Sequence, residues 1–536
     1  MNSVVPQRAG RREWLGLAVL ALACLLYAMD LTVLHLAVPK LSAALRPSSA
    51  QLLWIIDVYG FLVAGSLVTM GTLGDRIGRR RLLLIGAAAF SIASVLAAFS
   101  TSAETLIASR ALMGVAGATL APSTLSLIFN MFVDPTQRRV AIGIWISSFS
   151  AGGAIGPVLG GVLLEYFWWG SVFLLALPVM ALLLVLGPRV LPEFRDPEAR
   201  RLDLRSAAMS LAALLAVIYG LKDTAQDGFG LLPALSIVAG MAVGVLFVRR
   251  QLTLANPLID IQLFRIPSFS ASLATYMLGV FVVFGYFLFI PQYLQLVLGL
   301  TPLQAGLWTV PAMGGFIVGS MLAPRIVRRV RPALVMGAGL ALGALGLLVL
   351  ALVDGFPGLA VLVAVTTVNS LGLAPVFTLT TELIVGSAPP ERAGAASGIS
   401  ETSAELGGAL GIAILGSVGT AVYRSALAKL PAGVPIEAAQ VARDTLGGAV
   451  SVARQLPDQL GLALLDVARD AFVQGLHLTA GISAVVAIGT AIMAVTLLRH
   501  VRAGAEPQVQ PDIMPSGAAA GGAMTEPSQA WSDPLD

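Results

Sequence analysis

The 536-residue chain is 57% hydrophobic and only 12% charged, with a mean hydropathy of +0.87. A soluble domain carries about 25% charged residues, so this composition excludes a soluble globular protein and points to a polytopic membrane protein. The formal net charge of +4 tells less than the positions of the cations along the chain.

Apolar runs of about 18 to 25 residues recur along most of the sequence, each long enough to cross a ~30 Å hydrocarbon core as a helix. Fourteen are predicted, centred near residues 26, 61, 91, 118, 151, 179, 213, 240, 281, 313, 343, 371, 406 and 486. They are continuously apolar rather than alternating over ten-residue segments, which selects helices over barrel strands, and the fold class is all-α. The first run, Trp14 to Val38, follows Arg8, Arg11 and Arg12 and exceeds a signal-peptide core. Its small-x-small triplet, Ala21-Leu22-Ala23, falls in mid-run, so it is read as a retained span. The lone Cys24 inside it offers neither an intramolecular disulfide nor a cysteine metal site.

After the second run comes Gly71-Thr-Leu-Gly-Asp-Arg-Ile-Gly-Arg-Arg-Arg81, which has a worn counterpart in Leu322-Ala-Pro-Arg-Ile-Val-Arg-Arg329 after the tenth. Leu73, Arg76, Ile77, Arg79 and Arg80 match Leu322, Arg325, Ile326, Arg328 and Arg329, while Asp75 aligns with Pro324. The copies lie eight runs apart, which suggests two six-helix halves with a helix pair inserted between them. The expected division is residues 1–200 for the first half, 201–255 for two accessory helices, 256–500 for the second half and 501–536 for a disordered cytoplasmic tail rich in Gly, Pro, Ser and Ala. Within the second half, an external loop is expected over 421–470. Ala438 to Leu446 and Leu460 to Ala468 are predicted there as short amphipathic helices, either a lid or a packed surface loop. With both termini cytoplasmic, about 24 of the 33 lysines and arginines fall on the cytoplasmic side and about 8 outside. That is the positive-inside pattern, and it requires no nucleic acid.

Four carboxylates, Asp30, Asp57, Glu401 and Glu405, interrupt runs that otherwise suit hydrocarbon. A charge at that depth costs roughly 2.5 to 3.5 kcal/mol, so such groups usually face a cavity where they hold protons or cations. Glu401 and Glu405 are four residues apart on one helix face. Acids sharing a desolvated cavity can give up a proton when a cation enters, which is exchange by competition for negative charge. Arg110, in the fourth run, needs an acidic or carbonyl partner, unless it snorkels to the nearby outer end of its span. The glycines of Gly152-Gly-Ala-Ile-Gly-Pro-Val-Leu-Gly-Gly161 form a groove for a neighbouring helix, and Pro157 removes a backbone hydrogen bond and bends the span. Trp54, Tyr59, Phe149, Tyr276, Phe284, Tyr286 and Trp308 are candidates for cation–π contacts of ~0.5 to 2 kcal/mol each, or for simple packing. Glu382 is read as interfacial. Membrane-enzyme chemistry is not expected, since H-E-x-x-H, G-x-S-x-G and P-loop patterns are lacking and His35, His477 and His500 are far apart.

Several of these patterns resemble the major facilitator superfamily. Gly71 to Arg81 is similar to its G-x-L-x-D-R-x-G-R-R loop signature, Arg110-Ala-Leu-Met-Gly114 to its R-x-x-x-G pattern, and Gly152 to Gly161 to the G-x-x-x-G-P-x-x-G-G signature of antiporters. Met29 to Pro39, Leu53 to Tyr59, Pro257 to Phe264 and Ser400 to Gly407, with fourteen spans, narrow the resemblance to the drug:proton antiporter branch of QacA-, SmvA- and LfrA-like multidrug exporters. The resemblance implies the major facilitator fold, two six-helix halves plus two accessory helices. It also implies proton-coupled export of lipophilic cations such as quaternary ammonium compounds, dyes and biguanides, extending to fluoroquinolones in some members. Proton coupling and cation binding would fall to Asp30, Asp57, Glu401 and Glu405. Coupling or conformational roles would fall to Arg110, Asp75, Arg76, Gly152, Gly156 and Pro157. The expected protein is a monomer in the bacterial cytoplasmic (inner) membrane, with both termini cytoplasmic, no cofactor beyond the proton gradient and no nucleic-acid partner. His35 stands where many relatives carry Asn, and Ser400-Glu401 where some carry a double acid; Gly314 and Gly315 stand where some carry a further acid. Fewer acids imply weaker handling of divalent cations. The rival reading is a proton-coupled metabolite transporter on the same fold.

Overall fold

A computed structural model describes residues 8–195, 203–227, 230–254, 257, 259, 261–353, 355–387, 393–428, 430 and 433–501. Among these, 14 helices are long and apolar enough to cross a membrane, and no strand occurs. In chain order they are Arg11–Leu45, Ser49–Ile77, Arg79–Ala98, Ala103–Met131, Pro135–Tyr166, Ser171–Val190, Leu204–Asp227, Leu231–Thr253, Pro267–Val297, Pro302–Ile326, Pro332–Leu352, Leu359–Gly386, Ala393–Ala426 and Asp458–Leu497. They are referred to below as the first to fourteenth spans. The tail beyond residue 501 and the Asp75 side chain lie outside the described residues.

Local chemistry sets where the helices start and bend. Ser48, Ser102 and Thr301 cap the second, fourth and tenth spans, each accepting a hydrogen bond from the backbone N–H three residues on. Pro267, Pro302 and Pro332 sit at helix starts, where a missing N–H costs nothing. Gly78, with φ of 112°, turns the chain sharply between the second and third spans, a conformation that strains any side chain. The helical pattern breaks at Ala118–Thr119 in the fourth span and passes through a π-turn at Tyr293–Val297 in the ninth. Large apolar side chains such as Ile92, Leu231 and Val485 stand outward. Such a surface suits hydrocarbon rather than water.

Helix packing repeats along the chain. The first span packs on the fifth and sixth, the second on the fourth, and the third on the fourth and sixth. Eight spans later the pattern recurs: the ninth packs on the thirteenth and fourteenth, the tenth on the twelfth, and the eleventh on the twelfth and fourteenth. The two sets meet along two seams, the second span against the thirteenth and the fifth against the tenth. The seventh and eighth spans pack on each other, and the seventh lies against both the second and the thirteenth, so one seam is covered and the other is not. Phe61, Ile218, Ala409 and Ala413 form the apolar cluster at that junction. Where the accessory pair ends, Arg250 bridges to Asp203 at 3.1 Å. Burial works to raise the Asp203 carboxyl, but hydrogen bonds from Ser206 and Arg250 outweigh it and hold the group below its usual range.

At the end of the bundle opposite the termini the two sets are pressed together. A Cβ at Gly161 would stand 2.8 Å from the Pro302 carbonyl oxygen, and one at Gly306 would collide with the Pro157 carbonyl. Leu53 fills the space beside Gly416, and Gln295 donates to the Leu36 carbonyl at 3.0 Å. The segment joining the last two spans adds to this closure. Its helices, Ile436–Asp444 and Leu446–Ala453, touch both sets: Ser49 donates to the Asp444 carbonyl at 2.6 Å, and Tyr423 donates to the Ala442 carbonyl at 2.8 Å. Leu460 to Ala468, expected as a separate short helix, is instead the beginning of a 40-residue helix that starts after Pro457, since no breaker interrupts it before Leu497. Links at the terminus-bearing end, such as Arg80–Glu193 at 3.4 Å and Ser268–Ser387 at 3.0 Å, join helices of the same set.

Gly161→Leu is expected to wedge the fifth and tenth spans apart, at a cost of about 1–3 kcal/mol for overpacking. The purified variant should melt several degrees below wild type; an unchanged melting temperature would contradict the close approach at that seam.

Candidate functional site

Between the two sets lies an internal cavity of about 390 Å3, a size suited to a small organic ligand. Its two walls differ in chemistry. The first set contributes Thr32, His35, Asp57 and Arg110, whereas the second contributes Tyr276, Phe284, Tyr286, Phe287, Phe316 and Phe377. Glu405 is the carboxylate that the second set adds to this lining. Asp57 and Glu405 thus face one space from helices of opposite sets.

Asp30 and Glu401 are placed differently. Asp30 is not among the lining residues; its Oδ2 accepts from Arg110 Nη1 at 2.7 Å. Arg110 is buried, and two further N–H groups of its guanidinium donate to main-chain oxygens, Nε to Ile55 at 3.2 Å and Nη2 to Ile56 at 3.4 Å. Its guanidinium lies 4.6 Å from the centre of the Tyr59 ring. Each charge therefore has an answer within the protein, and neither snorkels to an interface. Glu401 is half-buried, one turn nearer the terminus-bearing end than Glu405, and is also outside the lining.

Tyr27 supplies a contact that sequence reading did not single out. Its hydroxyl donates to Glu405 Oε1 at 2.5 Å, which ties the first span to the thirteenth across the interface of the two sets. Its ring lies 6.2 Å from Tyr59 and 5.9 Å from Phe149. A tyrosine in an apolar run gives no sign of such a partner when the two residues are 378 positions apart. Phe287, Phe316 and Phe377 were likewise indistinguishable from packing residues.

The glycine-rich stretch of the fifth span works on two faces. Gly152 and Gly156 lie against the first span, where added Cβ atoms would meet the main chain at Leu25 and Met29, and Gly161 and the Pro157 carbonyl face the tenth. Gly153, between them, opens onto the cavity. The stretch Gly71 to Arg81, expected as a loop, is helical on both sides of Gly78: Arg76 is exposed in the last turn of the second span, while Arg80, in the first turn of the third, holds Glu193 and donates to the Leu191 carbonyl at 3.0 Å. This junction of the two helices lies at the terminus-bearing end, and its residues are not among those that line the cavity. Among the described residues no group of histidine, cysteine and acidic side chains is arranged to hold a metal ion.

Asp30→Asn removes the carboxylate that answers a buried guanidinium, and such one-sided changes cost about 3–5 kcal/mol. The single variant should melt well below wild type, and Asp30→Asn combined with Arg110→Gln should recover much of the loss. Equal melting of the single and double variants would contradict the pairing.

The family model described as Major Facilitator Superfamily matches residues 20–412. The multidrug efflux pump LfrA of Mycolicibacterium smegmatis is 45% identical over 90% of this chain and 96% of its own length. The methyl viologen resistance protein SmvA of Salmonella typhimurium is 37% identical over 86% of this chain and 93% of its own. The tetracenomycin C resistance and export protein of Streptomyces glaucescens is 32% identical over 90% and 91%. Among solved structures, a bacterial homologue of the human lysosomal transporter Spinster superposes with a TM-score of 0.67 at 18% identity, covering 93% of this chain and 100% of that one. At that identity the likeness speaks for the fold alone. The family match, the extended relatives and the repeated helix packing agree, and the chain belongs to the major facilitator superfamily.

Proposed function

We propose that the protein is a proton-driven exporter of lipophilic cations in the bacterial cytoplasmic membrane, with both termini in the cytoplasm. The observation that carries the reading is Asp57 and Glu405 on the wall of one cavity, faced by an aromatic wall from the second set. Carboxylates attract protons and cations to the same oxygens, while aromatic faces accept the apolar body and positive charge of a drug-like cation. Loading with one ligand then opposes loading with the other, which is the requirement for exchange. Relatives named for multidrug efflux and for methyl viologen resistance support a drug-sized substrate.

In this proposal the two six-helix halves rock about the cavity; Gly161 lets the fifth span close on the tenth across the halves, while Gly152 and Gly156 hold the fifth span tightly to the first so that their half moves as a unit. The Asp30–Arg110 pair acts beside the cavity: Arg110 lines it, and a change in the charge at Asp57 is felt by a guanidinium whose own partner is Asp30. Glu401 would meet protons or cations on the terminus-bearing side of Glu405. Asp75, Arg76 and the loop around them are assigned to conformational control. A single chain contains both sets of helices, so a monomer suffices, and no cofactor is needed. A proton entering through 100 mV releases ~2.3 kcal/mol, enough for a gradient above tenfold per net charge moved.

Everted membrane vesicles with an acid lumen test the reading. Adding ethidium or a quaternary ammonium compound should draw protons out of vesicles carrying wild type, seen as recovery of a pH-dye signal. Asp57→Asn and Glu405→Gln, at normal abundance, should lose the response at least tenfold. Wild-type vesicles that give no proton movement with either cation would contradict the proposal.

A further inference from the structure

The polar groups of the cavity wall are mostly accounted for within the protein. Thr32 donates to the Met29 carbonyl, Tyr286 to Asn369, and Thr366 to the Leu362 carbonyl, while Arg110 is held by Asp30 and two main-chain oxygens. His35 is the contrast. It lines the cavity and is only 2% exposed, yet its Nδ1 has no hydrogen-bond partner among the described residues. Its ring is held edge-on to Phe287 at 5.5 Å and 82°, a contact that reaches from the first span to the ninth and fixes the plane of the imidazole. The sequence reading marked His35 as a departure from the common Asn, and the function proposed above gives it no role.

We infer that His35 is a hydrogen-bonding subsite that makes the cavity favour cations bearing an N–H group, such as guanidinium, biguanide and primary ammonium, over fully alkylated ammonium ions of similar size. The inference rests on the cation-exporter reading and adds a selectivity to it. A neutral imidazole presents one acceptor nitrogen and one donor. A ligand that fills a cavity of about 390 Å3 excludes water from this wall, so it must supply the missing partner or leave a buried nitrogen unsatisfied. A cation with an N–H can donate to the ring while its charge faces Asp57 and Glu405; a trimethylammonium group cannot. Sites built around such a bond discriminate strongly against analogues that lack it.

The test uses the full-length protein in lipid nanodiscs and two probes that share one skeleton, 1-naphthylmethylammonium and its N,N,N-trimethyl analogue, with Kd measured by titration calorimetry. Wild type should prefer the ammonium probe by about tenfold. His35→Phe should bring the two affinities within about twofold of each other, and His35→Asn, which keeps an acceptor, should retain most of the preference. His35→Leu serves as a second apolar variant should His35→Phe fail to give a monodisperse protein. Equal affinities in wild type, or an undiminished ratio in His35→Phe and His35→Leu, would overturn the inference and leave the exporter reading standing. Wild type that binds neither probe would overturn both.

Discussion

Hydrocarbon offers no hydrogen bonds and no counter-charges, so each polar group carried into it must be answered by the protein itself. The interior of this molecule is arranged around that demand. Arg110 receives one carboxylate, two main-chain oxygens and an aromatic face. Tyr27 reaches across the interface to Glu405, and Tyr286 reaches Asn369, which in turn donates to the Gly343 carbonyl. Most of the polar groups on the cavity wall are answered within their own set, and the Tyr27–Glu405 bond is the contact there that joins one set to the other.

Packing decides where that cavity can be reached. Small residues bring the fifth and tenth spans, and the second and thirteenth, into close contact toward the end opposite the termini, and the short helices after the thirteenth span rest on both sets there. The accessory pair covers only the seam of the second and thirteenth spans, which leaves the surroundings of the cavity asymmetric. The first wall holds Asp57, Arg110 and His35 and the second most of the aromatic rings together with Glu405, so a ligand that is both charged and greasy would touch both sets at once. In the proposed exchange, that simultaneous contact would let occupancy bear on the relative position of the halves.

Much of the architecture was readable in the sequence, because hydrocarbon thickness imposes run lengths that no other constraint mimics. The eight-run offset of the basic loops around Arg76 and Arg325 reappears as the eight-span offset in helix packing. Continuity was harder to read. Leu460 to Ala468 has the amphipathy of a surface helix, and only the lack of a breaker after Pro457 shows that it runs on into the last span. At the candidate site, the carboxylates stood out because each is costly in lipid, but their neighbours did not. Asp30 and Arg110 are 80 residues apart, and nothing local in either segment says that they meet. Half of the aromatic wall, Tyr276, Phe284 and Tyr286, was among the aromatic candidates, but Phe287, Phe316 and Phe377 look like any other apolar residue until the helices that carry them are placed.

The central claim is that protons and cations compete for carboxylates in one cavity. Its most direct measurement is proton release on ligand binding by the purified protein, followed with a pH dye in weakly buffered solution as a cationic ligand is added. The account predicts that wild type releases protons in step with binding and that Glu405→Gln combined with Asp57→Asn releases none. A wild-type protein that binds the cation without releasing protons, or a double variant that releases them undiminished, would contradict it.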